Sequence, residues 1–267
     1  MRILVDGREG ECIDPLDRGL HYGDGLFETI AVIDGRPRLL DWHLERLCEG
    51  ARRLGFPAPD SGQLRNEIAA ASINSRCIVK LILTRGSGER GYRPPRQALP
   101  RRIVIAWDWP IQSASRAAGA RVGWCRTSLG RNPLLAGLKH LNRLEQVMAR
   151  AEWDDGVMDE GLMCDDRGRV ICATQANLFA KLEGRWTTPQ LDECGVAGVM
   201  RRAFCAWQSE QGTPVEVRAL VRADVKAASA LLLTSALIGA WQVCALADRP
   251  LAEDPAAREF NAWLARA

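Results

Sequence analysis

Apolar and polar positions change period several times along this chain, and each change predicts an element. The runs ILVDG (3–7) and LFETIAVIDGRPRLL (26–40) read as strands. Asp34-Gly35 divides the second run, a dipeptide that accepts the positive φ of a tight hairpin turn. In the next stretch, DWHLERLCEGARRLGF, the period lengthens: Leu44, Leu47, Cys48, Ala51 and Leu54 recur at helical spacing, with Asp41 as N-cap. A second helix is expected around 61–74, followed by strands over CIVKLILTRG (77–86) and RIVIAWDW (102–109). The turn-rich GSGERGYRPPRQALP separates them. Sheet and helices segregated in this way make an α+β unit.

Small and polar residues with weak periodicity fill IQSASRAAGARVG, about 111–123, which reads as a connection between domains. The expected division is a small N-terminal domain over 1–112, a connection over 113–122 and a larger domain over 123–267. In that second part the pattern predicts a helix over 139–152 and strands near 160–165, 168–172 and 177–182. A helix after GVAGVMRRAF, strands VEVRAL and LLLTSAL and a closing helix over about 255–265 follow. Many short strands with few helices suggest a sheet-rich, barrel-like unit. The fold class is therefore α+β, with two domains.

Composition narrows the function. The 267 residues can bury a proper core without disulfides, and a formal net charge of +3 with no basic stripe argues against nucleic acid. No apolar run approaches a membrane span and the N-terminus lacks a signal core, so a cytoplasmic protein is expected. Nine cysteines show no CxxC spacing, and His21, His43 and His140 form no ligand pattern such as HExxH. Reduced thiols and no metal site are expected.

Of 36 basic residues only Lys80, Lys139, Lys181 and Lys226 are lysines. Arginine would serve a purely electrostatic role equally well, whereas only an amine forms a Schiff base. Lys139 stands where the loop SLGRNPLLAG meets LNRLEQVMARAEW. From position alone this is a surface lysine near a helix start, but an ammonium there opposes the helix dipole, a condition that favours a reactive amine. DECGVAGVMRRAF places two glycines before a helix whose first turn presents free N–H groups to an anion. Taken alone such a segment is a plain tight turn. Arg46 and the hydroxyls of Thr234 and Ser235 are further candidate phosphate ligands. A reactive lysine combined with several phosphate holders points to pyridoxal phosphate.

YGDGLFETIAVIDGRPRLLDWHLERL (22–47), RGSGERGY (85–92), GLKHLNRLEQV (137–147), ANLF (176–179) and CGVAGVMRR (194–202) together resemble the fold-type IV pyridoxal-phosphate enzymes. Within that group KHLNRLEQV and CGVAGVMR look most like the 4-amino-4-deoxychorismate lyases. The resemblance implies a small α/β domain followed by a larger pseudobarrel domain that carries the Schiff-base lysine, usually in a homodimer. It implies that Lys139 holds the cofactor and then shuttles a proton, and that Arg46 clamps the phosphate. The amides of Val199 and Met200, with Thr234 or Ser235, would complete the phosphate cradle, and Val196 would pack on the pyridine ring. Phe27 takes a position where some relatives have tyrosine. The substrate, 4-amino-4-deoxychorismate, carries two carboxylates, for which Arg90, Arg85 and Tyr92 are candidates, Arg90 foremost. Thr29 would position a water or a substrate hydroxyl.

One residue departs from the family pattern. Five residues before the Asn of NLF the family carries a glutamate that holds the pyridine nitrogen protonated, and here that residue is Cys172. A neutral thiol supplies no opposite charge, so the electron sink is weaker. Three explanations stand: a lyase whose product aromatises and needs less withdrawal, a fold that has lost catalysis and only binds, or Asp165 or Asp166 serving the nitrogen instead. The first is preferred, since an intact lysine and cradle have no obvious purpose in a dead enzyme. A D-amino-acid or branched-chain aminotransferase is the rival within the fold, and Cys172 argues against it.

Overall fold

The computed structural model describes residues 1–10, 12–109 and 118–266. They form two compact units, one holding the chain up to residue 109 together with Leu138–Asn142, the other holding 118–137 and the chain from Arg143 onward. Of the expected connection, residues 113–117 lie outside the described residues, and 120–122 belong to a strand.

The first unit runs β1 (Arg2–Val5), α1 (Arg18–Tyr22), β2 (Gly25–Ile33), β3 (Arg36–Pro37), α2 (Leu40–Leu54), α3 (Ser61–Ala71), β4 (Cys77–Thr84) and β5 (Arg101–Asp108). Its strands make one antiparallel sheet in the order β1-β5-β4-β2-β3. Period-two alternation separates the two faces. In β4, Cys77, Val79, Leu81 and Leu83 are buried, whereas Ile78, Lys80 and Ile82 are half-buried. Helix α2 covers the buried face, where a Cβ on Gly50 would come within 2.7 Å of Leu26. Leu44, Leu47 and Ala51 of α2 and Leu64, Ile68 and Ala71 of α3 complete that core. The Asp34-Gly35 turn has φ of 50° and 74°, as the hairpin requires.

Two local expectations change. Asp41 is not the N-cap of α2: Leu39, at φ 51°, turns the chain directly into the helix, so Asp41 falls inside the first turn and pairs with Arg65 of α3. Helix α1 was not expected. Asp17 caps it by accepting from the amides of Gly19 and Leu20, and Gly23, at φ 63°, ends it.

The second unit runs β6 (Ala120–Trp124), α4 (Leu144–Arg150), β7 (Glu160–Cys164), β8 (Arg169–Ala173), β9 (Asn177–Leu182), β10 (Arg185–Pro189), α5 (Val199–Glu210), β11 (Glu216–Arg218), β12 (Leu220–Val221), α6 (Arg222–Ala227), β13 (Ala230–Ser235), β14 (Gly239–Leu246), β15 (Arg249–Pro250) and α7 (Ala256–Leu264). The sheet order is β11-β10-β9-β13-β14-β6-β7-β8-β12, with β15 on β14. Val122, Leu162, Val170, Leu178, Leu233 and Val243, from six different strands, share one core. Strands from across the order meet in one core only if the sheet curls on itself, which is the expected pseudobarrel. Helix α5 is fixed by aromatic packing, with Phe204 4.5 Å from Phe179 and 5.3 Å from Phe260 between ring centroids.

Candidate active site

Lys139 does not stand at a helix start. Helix α4 begins only at Leu144. Leu138–Asn142 is extended against β2: the Phe27 amide donates to the Lys139 carbonyl at 3.0 Å, the Leu141 amide donates to Gly25 at 3.0 Å, and Leu26 bridges His140. Strand β3 pairs only with Val32 and Ile33, so the other end of that edge of β2 takes this segment instead. Edge pairing outweighs helix propensity here, and the dipole argument for the amine loses its basis because Lys139 lies outside the first turn. For the same reason Lys139 belongs to the first unit, not to the larger one as expected.

The half-buried face of β2 holds the amine. Lys139 Nζ lies 4.1 Å from the centroid of the Phe27 ring, and Lys80 Nζ lies 5.2 Å from the same centroid. Thr29, two residues on from Phe27 and half-buried, is the cross-strand partner of Lys80. Among the other lysines, Lys181 is paired with Asp254 at 2.7 Å and Lys226 is exposed on α6.

On the opposite face, the Glu28 carboxylate is 1% exposed and lies 2.6 Å from His43 Nδ1. Arg46 donates to it through Nε at 2.8 Å and through Nη2. Burial alone would raise the Glu28 pKa, but the Arg46 charge and the His43 and Arg46 hydrogen bonds outweigh it and hold the carboxyl at about 2. The expected phosphate clamp is thus a guanidinium whose plane is set from behind by an ionised glutamate. Sequence reading missed Glu28 and His43. A charged residue alternating with Leu26 and Ile30 on the buried side of a strand was the signal for the glutamate.

Arg85 is removed from the substrate candidates. It is 5% exposed, its Nε donates to Asp24 at 2.7 Å, and its Nη1 and Nη2 donate to the carbonyls of Gly55 and Leu54 at 3.1 and 2.8 Å. Three of its donors tie Asp24 to the C-terminus of α2. Arg18 shares Asp24 at 2.9 Å and holds the RGSGERGY loop through the carbonyls of Gly91 and Tyr92 at 3.1 and 2.9 Å. Arg90 is exposed, and Tyr92, 84% exposed, rests edge-on against Tyr22.

In the second unit the glycine-rich segment is held by Asn177. Its Nδ2 donates to the Val196 carbonyl at 2.9 Å, and a Cβ on Gly198 would lie 2.0 Å from its Oδ1, so only glycine fits there. Gly137 pairs with the same loop on both sides, its amide donating to Gly195 at 2.9 Å and its carbonyl accepting from Ala197 at 3.0 Å. Helix α5 starts at Val199 without a side-chain cap, so the amides of Val199 and Met200 head a helix end suited to an anion. Thr234 pairs with Asn177 across β13 and β9, which places its hydroxyl in the same corner. That hydroxyl is buried and has no hydrogen-bond partner among the described residues. Ser235 follows, half-buried. These five expected residues, Val196, Val199, Met200, Thr234 and Ser235, are therefore gathered.

Cys172, in β8, is 8% exposed and packs with Cys125, Cys194 and Met163. Burial pushes its thiol up to about 12, so it is neutral at physiological pH. Asp165 is occupied in the hairpin after β7, accepting from the Arg167 and Arg169 amides at 3.0 and 2.8 Å and from Arg169 Nε at 2.7 Å. Asp166 pairs with Arg131. Neither carboxylate stands in for the missing glutamate.

The amino-transferase class IV family model matches residues 25–246. The chain is 44% identical to the crystal structure of 4-amino-4-deoxychorismate lyase from Pseudomonas aeruginosa, with a TM-score of 0.92 over 99% of this chain and 98% of that one. It is 34% identical to the aminodeoxychorismate lyase of Vibrio harveyi over 84% of this chain and 83% of that protein. A fold IV transaminase from Curtobacterium pusillum superposes with a TM-score of 0.79 at 30% identity, over 96% of this chain and 90% of that one. The chain belongs to the class IV aminotransferases, a family that depends on pyridoxal phosphate.

Proposed function

We infer that the protein is a pyridoxal-phosphate-dependent 4-amino-4-deoxychorismate lyase, a carbon–oxygen lyase that releases pyruvate and leaves 4-aminobenzoate for folate synthesis. Likeness to two such lyases over nearly the whole chain selects this reaction. The observation that carries the cofactor is the buried Thr234 hydroxyl, left without a partner beside the uncapped start of α5. A buried hydroxyl costs free energy unless something satisfies it, and a phosphate oxygen at a helix N-terminus does so.

Bound there, pyridoxal phosphate would supply an aldehyde for an amine and a ring that withdraws electrons from the neighbouring carbon frame. Lys139 would supply the amine that holds it and, when free, would take the proton from the ring carbon that bears the substrate's amino group. Loss of that proton and scission of the ring C–O bond aromatise the ring, and the departing enol takes up a proton as pyruvate; no oxidant or reductant enters. Phe27 holds the Lys139 ammonium over its face. Arg46, fixed by Glu28, would clamp the phosphate, the Val199 and Met200 amides and Ser235 would add to its cradle, and Val196 would pack on the cofactor ring. Thr29 positions a substrate hydroxyl or water. Arg90, with Tyr92, would meet a substrate carboxylate. Cys172 is neutral, so withdrawal at the pyridine nitrogen is weak, which suits a reaction driven by aromatisation better than a transamination.

A homodimer is part of the same proposal. On α4, Leu144, Val147 and Met148 are 71%, 61% and 57% exposed at i, i+3 and i+4, an apolar stripe suited to a partner. The nine cysteines, none in a disulfide, suit the reducing cytoplasm.

The test is an absorbance spectrum of the purified protein before and after borohydride, with mass mapping and a pyruvate assay. A band lost on reduction, a pyridoxyl adduct on Lys139 and pyruvate release are expected. Protein that stays colourless and unmodified with added pyridoxal phosphate would overturn the cofactor. Conversion to the pyridoxamine form by an amino acid alone, without pyruvate from the substrate, would overturn the lyase in favour of an aminotransferase.

A further inference from the structure

The two halves of the anion-ready corner, the start of α5 and the β13–β14 hairpin, are joined from behind by the closing helix α7. Two neighbouring residues of that helix reach different elements. The fully buried ring of Phe260 lies 5.3 Å from Phe204 and 5.6 Å from Trp207 between centroids, and both partners belong to α5. Asn261 grips the hairpin instead. Its Oδ1 accepts from the Ala240 amide at 2.9 Å, and its Nδ2 donates to the Ala240 carbonyl at 2.8 Å.

Ala240 is the cross-strand partner of Thr234, and Gly239 is that of Ser235. On its other side β14 pairs with β6, among the described residues, only from Val243 onward. The Asn261 amide, a donor and an acceptor on one short side chain, therefore fills the role of a neighbouring strand's peptide at Ala240. The fit is close, since Gly239 has φ 78° and a Cβ on it would lie 2.2 Å from Asn261 Oδ1. Asparagine is among the weaker helix formers, and a helix that had only to pack beside Phe260 would be served better by alanine or leucine. Helix propensity gives no reason for it there.

We propose that Asn261 is a cofactor-positioning residue: with Phe260 setting α5, it sets the hairpin, so that Thr234 and Ser235 stand ready for the same phosphate as the Val199 and Met200 amides. Docking of the closing helix and retention of the phosphate are then coupled, which rests on the cofactor part of the function proposed above and not on which reaction follows.

Pyridoxal isolates the phosphate, because it offers the same ring and aldehyde with a hydroxymethyl group in place of the phosphate ester. In absorbance titrations of the full chain freed of cofactor, Asn261→Ala should hold pyridoxal phosphate about tenfold more weakly than wild type, with affinity for pyridoxal changed less than about twofold. A merely structural asparagine would lower the thermal midpoint and leave the preference for the phosphate ester as it was, which overturns the proposal. Hydrogen exchange of the wild-type chain needs no variant and decides the matter if Asn261→Ala does not fold. Deuterium uptake over residues 238–242, read by mass spectrometry, should slow about tenfold or more at saturating pyridoxal phosphate and stay unchanged with pyridoxal. Uptake there that ignores both compounds overturns the proposal. Wild-type protein that binds pyridoxal phosphate no more tightly than pyridoxal overturns the cofactor reading and the proposal with it, whereas a wild type and an Asn261→Ala variant that prefer the phosphate ester equally overturn the proposal alone.

Discussion

Two polar clusters, one in each unit, are buried to the same depth and treated in opposite ways. Glu28 meets His43 and Arg46, so its carboxylate oxygens are occupied and its charge is compensated. Thr234 Oγ1, equally enclosed, is the one hydroxyl among the five buried side-chain polar atoms that lack a partner among the described residues. A satisfied buried network fixes side chains that must not move, whereas an unsatisfied polar group is a place where the fold has left room for something else to bind. Arg46, in the first unit, is aimed by its partners, whereas Thr234, in the second, is left wanting one.

The largest expected effect comes from breaking the satisfied cluster. Glu28→Gln removes the buried carboxylate charge that both Arg46 and His43 meet and should cost about 3–5 kcal/mol of stability, read as a shift of the denaturant midpoint with unchanged slope. The wild-type cluster also carries a pH signature. The Glu28 pKa is depressed from its ordinary 4.5 to about 2 in the folded chain, so the stability it contributes is fully present above pH 4.5 and lost as pH falls toward 2. Denaturant midpoints measured across that window should fall more steeply for the wild type than for Glu28→Gln. Equal slopes would mean that Glu28 is not the ionised centre of the cluster.

A smaller effect is expected in the second unit from Gly198→Ala. The added Cβ would meet Asn177 Oδ1 at 2.0 Å, so the loop or the start of α5 must shift. A cost of about 1–3 kcal/mol is expected, together with weaker cofactor retention measured by equilibrium dialysis, because the Val199 and Met200 amides move with the helix end. Normal retention would show that the corner tolerates displacement and is not shaped for an anion.

How much of this could be read from the sequence follows from the range of the interactions. The Asp34-Gly35 hairpin and the apolar stripe of α2 are set by residues within a few positions of each other, and both were legible. Lys139 was legible by chemistry, as a rare amine among arginines, but not by geometry. Its segment is extended because β3 leaves one end of β2 unpaired, and that pairing joins positions more than a hundred residues apart. Arg85 misled for the same reason: its loop setting suggested a ligand, while its partners, Asp24 and the end of α2, are brought to it only by folding. The orphaned hydroxyl of Thr234 has no sequence signal at all, since being unpaired is a property of the packed corner.

The smallest effect on stability should come from Thr234→Val, and that contrast makes it the sharpest comparison with Glu28→Gln. Valine matches the shape of threonine and removes a hydroxyl that makes no hydrogen bond in the folded chain, so stability of the cofactor-free protein should change by less than about 0.5 kcal/mol or rise slightly. Cofactor affinity should instead fall about tenfold, since the lost bond is to a charged phosphate oxygen, worth about 1.5–3 kcal/mol. Glu28→Gln would thus act mainly on folding and Thr234→Val almost wholly on binding. If Thr234→Val destabilised the cofactor-free chain by several kcal/mol and left pyridoxal phosphate affinity unchanged, the hydroxyl would be a structural member of the second unit after all, and the corner at α5 would lose its best evidence for a phosphate.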